Sequence, residues 1–108
     1  MIKANFFLDG EFLCGFQVSG HSGAGTAGND IICASVSSAA YMTANTITDV
    51  IMLNADISVQ DGYMELVLNE NLPEAQQILE GLRLHLTSLA DEYPNKIKVT
   101  SIRRCKDA

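Results

Sequence analysis

Residues 19–37 read SGHSGAGTAGNDIICASVS, and this stretch carries the chain from a strand pattern into a helix pattern. Four of the eight glycines lie in it, at positions 20, 23, 25 and 28, between the strand pattern and Asp30. Apolar and small residues then recur at helical spacing, so the aspartate is predicted to cap a helix. Cys33 falls in the first turn of that helix, and His21 stands at the other end of the loop.

The rest of the chain divides into strand patterns, in which every second residue is apolar, and helix patterns, in which apolar residues recur at helical spacing. Turn signals separate these elements. The predicted elements are strands at 2–8 and 12–18, a helix from Asp30 to about residue 46, strands at 50–59 and 63–68, a helix from Asn71 to Tyr93, and a strand at 96–103. Gly81 lies inside the second helix, where it costs about 1 kcal/mol relative to alanine, so we expect it to mark a close approach to a neighbouring element. This β-β-α-β-β-α-β order predicts one α+β domain over residues 1–108, a two-layer fold with two helices on one face of a mostly antiparallel sheet.

The first two strands are joined by the turn signal Asp9-Gly10, which predicts a hairpin. A three-residue loop places Leu8 opposite Phe12 and Phe6 opposite Cys14, and this register brings both apolar rows to one face. Cys14 is then a core thiol. The other sheet face is left uncovered, and with 47% hydrophobic residues the chain is compatible with a homodimer that buries part of it.

Composition and charge argue against several classes of protein. A net charge of −6 disfavours a nucleic-acid-binding surface, which needs a basic stripe. The N-terminus lacks a signal-peptide pattern and no apolar run reaches membrane-spanning length, so we expect a cytoplasmic protein. Cys14, Cys33 and Cys105 show no CxxC spacing, which indicates thiols in a reducing compartment rather than disulfides or a zinc site. No metal or cofactor is predicted.

Residues 23–28 also match GxGxxG, the pattern of a dinucleotide-binding loop between a strand and a helix. Three observations weigh against that interpretation. The preceding strand belongs to a tight antiparallel hairpin, whereas the dinucleotide unit needs a parallel crossover. Asp30 places a carboxylate where a phosphate would bind, and 108 residues leave little room for the second half of such a site. A nucleotide module predicts that nucleotides raise the melting temperature.

A catalytic thiol is the other interpretation of the stretch. At the third helical position Cys33 would lie near the positive end of the helix, which favours the thiolate, and the loop returns His21 toward it as a base. First-turn N–H groups could stabilise an oxyanion, and Ser37 lies one turn further on the same face. The Asp30 carboxylate would raise the thiol pKa, unless it orients His21 as the third member of a triad does. The alternative is that Cys33 is a small core residue and His21 a plain loop residue. His85, on the second helix, is interpreted as a packed or surface histidine.

Gly20-His21, a variable loop and then residues 30–37, DIICASVS, spell GH…DIxCAxVS. This motif resembles the signature of the ribosomal-processing cysteine proteases, the Prp family. The early Asp-Gly hairpin, the length and the element order also resemble that family, so the likeness covers essentially the whole chain. It implies a small homodimeric cytoplasmic endopeptidase. Its substrate would be the N-terminal extension of a large-subunit ribosomal protein, cut after a pair of aromatic residues.

Carried over by position, the resemblance implies that Cys33 is the nucleophile and His21 the base, with supporting positions at Asp30, Ala34 and Ser37. The implied substrate loop contains Gly20, Ser22, Gly23, Gly25 and Gly28. The chain departs from the commoner pattern at Ser22, where alanine is frequent, and in the small residues of the loop. A competing hypothesis is a non-enzymatic ribosome-assembly factor that binds a basic ribosomal protein through the acidic surface. This hypothesis predicts that the binding weakens steeply as the salt concentration rises.

Overall fold

The structure is a computed structural model that describes residues 1–21 and 30–104. Its elements are β1 (Ile2–Asp9), β2 (Phe12–Ser19), α1 (Ile31–Asn45) with a π-helical turn (Thr46–Val50) after it, β3 (Asp56–Gln60), β4 (Tyr63–Val67), α2 (Leu72–Glu92) and β5 (Ile97–Arg103). The strands form one sheet in the order β3-β4-β2-β1-β5. Neighbouring strands are antiparallel except β1 and β5, which are parallel.

The two helices form the second layer of the fold. α2 packs on β2 and β5, and α1 packs on α2. The core contains the rings of Phe6 and Phe16, whose centroids are 6.3 Å apart, together with the fully buried Leu79 and Leu86 of α2. The predicted α+β fold is therefore confirmed. Among the helices of residues 1–21 and 30–104, none has the length and apolar content to cross a membrane.

The sheet face that points away from the helices is polar at its centre. The side-chain N–H of Asn5 on β1 donates to the side-chain oxygen of Gln17 on β2 at 2.8 Å. The Thr100 hydroxyl on β5 donates to the side-chain oxygen of Asn5, Oδ1. Nearby, the Arg104 guanidinium lies over the Phe7 ring, 4.9 Å from its centroid. Because these polar groups bond to one another and the ring is covered within the chain, this part of the face needs no second protein to cover it.

The β1–β2 hairpin does not have the predicted register. Asp9 pairs with Phe12 across a two-residue turn, and the register then shifts between Phe7 and Leu8, so that Phe6 pairs with Phe16. The pairs Leu8–Phe12 and Phe6–Cys14 were therefore wrong. Cys14 is the extra residue of a β-bulge, which the alternation of side chains could not show. It is buried, as predicted, and the bulge also lets the preceding Leu13 point into the core.

The backbone of the bulge is held by a side chain from α2. The Gln76 amide N–H donates to the Leu13 carbonyl at 2.7 Å, and its carbonyl oxygen accepts from the Leu13 N–H at 2.9 Å. The same nitrogen also donates to the Leu72 carbonyl at 2.8 Å. One glutamine thus satisfies both backbone groups of a buried residue and links the first hairpin to α2.

Replacing Gln76 with Ala is expected to lower the free energy of unfolding by about 1–3 kcal/mol, because buried backbone groups at Leu13 lose their partners. The matched control is Gln77→Ala, the same change at the next, exposed residue of α2, which is expected to stay within about 0.5 kcal/mol of the parent chain. Urea unfolding followed by circular dichroism measures both. Equal stabilities of the two variants would show that Gln76 does not support the bulge.

Two further predictions are corrected. The strand predicted at 50–59 is only Asp56–Gln60, because Val50 ends the π-helical turn and the residues after it hydrogen-bond back to that turn. The Ile51 N–H donates to the Thr46 carbonyl at 2.8 Å and the Leu53 N–H to the Ile47 carbonyl at 2.9 Å. Gly81 does not mark a close approach, since a Cβ placed on it would meet no atom within 4 Å.

Candidate active site

The start of α1 has the predicted N-cap. Asp30 has extended backbone angles, φ −83° and ψ 99°, and its side chain accepts a hydrogen bond from the Cys33 N–H at 3.0 Å. Its carbonyl oxygen accepts the Ala34 N–H at 3.0 Å, which is the first helical hydrogen bond. The cap therefore fixes the backbone of Cys33, whose side chain is partly exposed in the first turn. This contact is capping, and it is made to the residue that carries the thiol.

His21 is placed by the residue before it. Gly20 follows β2 with φ +92°, a backbone conformation that side chains other than glycine's rarely adopt. A Cβ at this position would also collide with the Met1 carbonyl oxygen. The Gly20 N–H donates to the Gly62 carbonyl in the β3–β4 turn at 3.0 Å. Gly20, directly before His21, therefore packs against Met1 and is hydrogen-bonded to Gly62.

These two placements bring the imidazole and the thiol together. The Nδ1 atom of His21 lies 3.9 Å from the Sγ atom of Cys33, which is at the long end of the range for a hydrogen bond to sulfur. The two residues are 12 positions apart and belong to different elements, one at the end of β2 and the other at the start of α1. An imidazole beside a thiol at a helix N-terminus is an arrangement that generates a nucleophilic thiolate.

The pair opens into a cleft of about 300 Å³. Ser37, one helical turn after Cys33, lines this cleft and is exposed to solvent. Ala34 is also exposed, and its backbone N–H donates to the Asp30 carbonyl. Four predicted residues of the substrate loop, Ser22, Gly23, Gly25 and Gly28, lie outside the described residues, and so does the GxGxxG match.

One wall of the cleft was missed by the sequence analysis. It comes from the β3–β4 hairpin, with Gln60 at the end of β3, Asp61 and Gly62 of the turn, and Tyr63 and Met64 of β4. Tyr41 of α1 also lines the cleft. Asp61-Gly62 is a turn signal in the sequence, but nothing in the local sequence shows that β4 pairs with β2. That pairing sets Tyr63 opposite Ser19, and the β3–β4 turn therefore lies beside His21.

The dinucleotide interpretation fails on the sheet topology. β2, the strand before the glycine-rich loop, is antiparallel to both of its neighbours, β1 and β4. A dinucleotide-binding unit needs that strand to continue through the helix into a parallel neighbour. Across residues 1–21 and 30–104, no group of three or more His, Cys, Asp or Glu side chains is placed to hold a metal ion.

Comparisons with known proteins agree on one family. The family model described as cysteine protease Prp matches residues 1–98. The ribosomal processing cysteine protease Prp of Bacillus subtilis (strain 168) is 27% identical over 93 residues, which cover 80% of this chain and 83% of the relative.

Two solved structures of an essential ribosomal processing protease Prp from S. aureus show the same fold. One, in complex with a covalently linked product peptide, is 26% identical to this chain and superposes with a TM-score of 0.86. The match covers 94% of this chain and 100% of the other. The other, with a substrate peptide, is 25% identical with a TM-score of 0.81 and the same coverage of both chains.

Proposed function

We propose a reaction and a substrate class for this chain, which belongs to the cysteine protease Prp family. The chain is a cysteine protease, and the family resemblance drawn from residues 20–37 is confirmed. Our proposal is that Cys33 is the nucleophile and His21 the base of an endopeptidase. The observation that carries it is the 3.9 Å approach of His21 Nδ1 to Cys33 Sγ at the start of α1.

The reaction begins when His21 takes the thiol proton and Cys33 attacks the scissile carbonyl carbon. The carbonyl oxygen becomes an oxyanion, and the first turn of α1 supplies N–H groups that have no acceptor within the helix. One of these, the Cys33 N–H, is already used by Asp30. His21 then protonates the leaving amine, and a thioester joins Cys33 to the N-terminal part of the substrate. Water, deprotonated by His21, hydrolyses the thioester and restores the thiol.

The supporting residues have separate roles in this proposal. Asp30 caps α1 and thereby fixes the backbone of Cys33. Ser37 offers a hydroxyl to the substrate backbone from the next turn of α1, because it lines the cleft and is exposed. Ala34 keeps the helix surface beside the thiol small, so that an extended peptide can approach Cys33. Gly20 sets the direction of His21, and the family resemblance supports a substrate-binding role for Ser22, Gly23, Gly25 and Gly28.

The proposed substrate is the N-terminal extension of a large-subunit ribosomal protein, cut after a pair of aromatic residues. Tyr41, Tyr63 and Met64 give the cleft aromatic and thioether surfaces, which suit aromatic side chains. The net charge of −6 favours encounter with a basic protein. The relatives named for ribosomal processing support the same substrate class, and one of them was crystallised with peptides in two structures.

The family resemblance also supports a cytoplasmic homodimer. The polar row of Asn5, Gln17 and Thr100 makes the centre of the open sheet face a poor dimer interface. The edge strand β3 is a better one, because all its residues are exposed and Ile57 and Val59 are 44% and 49% exposed. Sedimentation equilibrium tests the assembly. A monomer mass at all concentrations would remove the dimer from the proposal.

The experiment for this function is mass spectrometry of the purified protein incubated with the extended ribosomal protein, beside a peptide that spans its junction. We expect one cut, directly after the aromatic pair, in both substrates. The alternative is an assembly factor that binds the same protein through acidic residues. Salt-sensitive binding of the ribosomal protein without any cleavage of either substrate would favour that alternative.

A further inference from the structure

The β3–β4 turn meets the ring of His21 as well as the backbone before it. β2 and β4 pair up to Ser19 and Tyr63, and the hydrogen bond from the Gly20 N–H to the Gly62 carbonyl extends that ladder by one step. The next residue on the β2 side is His21. Its ring therefore stands against the turn, at the end of the antiparallel pair.

The contact between the ring and Gly62 is too close for a side chain at residue 62 unless the ring moves. A Cβ placed on Gly62 would lie 3.1 Å from Nε2 of His21, 3.6 Å from Cε1 and 3.9 Å from Cδ2. The three nearest atoms all belong to that one ring. Meanwhile the other ring nitrogen, Nδ1, is 3.9 Å from Cys33 Sγ. The imidazole is thus located between the turn on one side and the thiol on the other.

We propose that Gly62 is a positioning residue. Because it has no side chain, its backbone packs directly against the His21 ring and orients that ring toward Cys33. This inference rests on the proposed Cys33–His21 pair. At 3.9 Å the two atoms are already at the long end of a sulfur hydrogen bond, so a small displacement of the ring breaks the contact. A methyl group at residue 62 would lie 3.1 Å from Nε2, so the ring must shift by a few tenths of an ångström or turn out of line with Cys33.

Gly62 has φ +68°, so alanine there also strains the backbone, and the two effects must be separated. The chain offers a matched control in Gly10, the glycine of the β1–β2 turn. Gly10 has φ +63°, but a Cβ placed on it meets nothing within 4 Å. Gly10→Ala therefore carries the backbone strain without the ring contact. A second variant, Gly62→Asn, keeps the ring contact with less strain, since asparagine tolerates positive φ better than alanine.

The experiment compares the parent chain with Gly62→Ala, Gly62→Asn and Gly10→Ala. The probes are a fluorogenic peptide with an aromatic pair before the scissile bond, and iodoacetamide. Alkylation of Cys33 is read from the fragment of residues 30–48 after cleavage on the N-terminal side of aspartates, which separates Cys33 from Cys14. Both Gly62 variants are expected to lose about 10- to 100-fold in kcat with KM changed less than about 2-fold, and to alkylate more slowly. Gly10→Ala is expected to keep kcat and the alkylation rate, while its melting temperature falls about as far as that of Gly62→Ala.

Two outcomes overturn the inference. If the Gly62 variants match Gly10→Ala in kcat and in alkylation, the turn does not orient the ring. A rise in KM alone would make Gly62 part of the substrate wall instead. If the parent chain cleaves nothing, the proposed function fails, but the alkylation rates still test the orientation of His21. Should Gly62→Ala lose its circular dichroism signal, Gly62→Asn carries the comparison.

Discussion

Replacing Cys33 with Ala is expected to lower the rate of peptide cleavage by about 10³-fold or more, with the domain still folded. The size of the loss follows from the role of the side chain, because without the sulfur no thioester forms and only binding and oxyanion stabilisation remain. The fold should survive, since the Asp30 cap is made to the backbone N–H of residue 33, which alanine retains. Single-turnover cleavage of the junction peptide and a thermal melt measure the two effects.

The control for this variant is Cys14→Ala, which removes the thiol at the β-bulge. Cys14 is buried among core residues and does not line the cleft. The substitution is expected to lower the melting temperature, because it leaves a small cavity, and to preserve kcat at temperatures where the variant is folded. If Cys33→Ala cleaves as fast as the parent chain, Cys33 is not the nucleophile and the proposed mechanism is wrong.

Replacing His21 with Ala is expected to lower kcat by about 10²- to 10⁴-fold, the usual contribution of a positioned acid and base. His21 has two tasks in the mechanism, since it takes the thiol proton and later protonates the leaving amine. Its loss should therefore slow both peptide cleavage and the alkylation of Cys33 by iodoacetamide. The ring is at the surface of the cleft rather than in the core, so the melting temperature should change little.

The chain contains a second histidine that serves as the matched control. His85 is exposed on α2, in the groove between the two helices, and is not a lining residue of the cleft. His85→Ala is expected to leave both rates within about 2-fold of the parent values, as for most surface substitutions away from a site. Equal losses in the two histidine variants would contradict an acid–base role for His21 and would indicate a general loss of structure.

The glutamine at the bulge shows why the hairpin register escaped prediction. Side-chain alternation reports which residues face the core only while the strand stays regular, and β2 is irregular at Cys14. What makes the irregularity tolerable is Gln76, which lies 63 positions further along the chain and bonds to both backbone groups of Leu13. No local pattern around residues 12–18 contains that partner.

Much of the candidate site was nevertheless readable from the sequence. An aspartate before a helical pattern predicts a cap, and Asp30 caps α1 as predicted. The same reasoning placed Cys33 in the first turn and identified the glycine-rich stretch between it and His21. The motif of residues 20–37 predicted the family, which the comparisons confirm. The element order was also predicted correctly, apart from the residues that form the π-helical turn and the extended segment before β3.

Features that depend on residues a few positions apart were predictable from the local sequence: the helix cap, the turns, the periodic faces of α1 and α2, and the motif. The packed fold sets the other features: β4 lies beside β2, β5 runs parallel to β1, and Gly62 lies against His21. The reason is physical. A cap or a turn is stabilised by hydrogen bonds and backbone angles within a few residues, whereas strand pairing is selected by the burial of apolar surface across the whole core. The 3.9 Å between His21 Nδ1 and Cys33 Sγ belongs to this second class, because it exists only once β2, β4 and α1 are packed together.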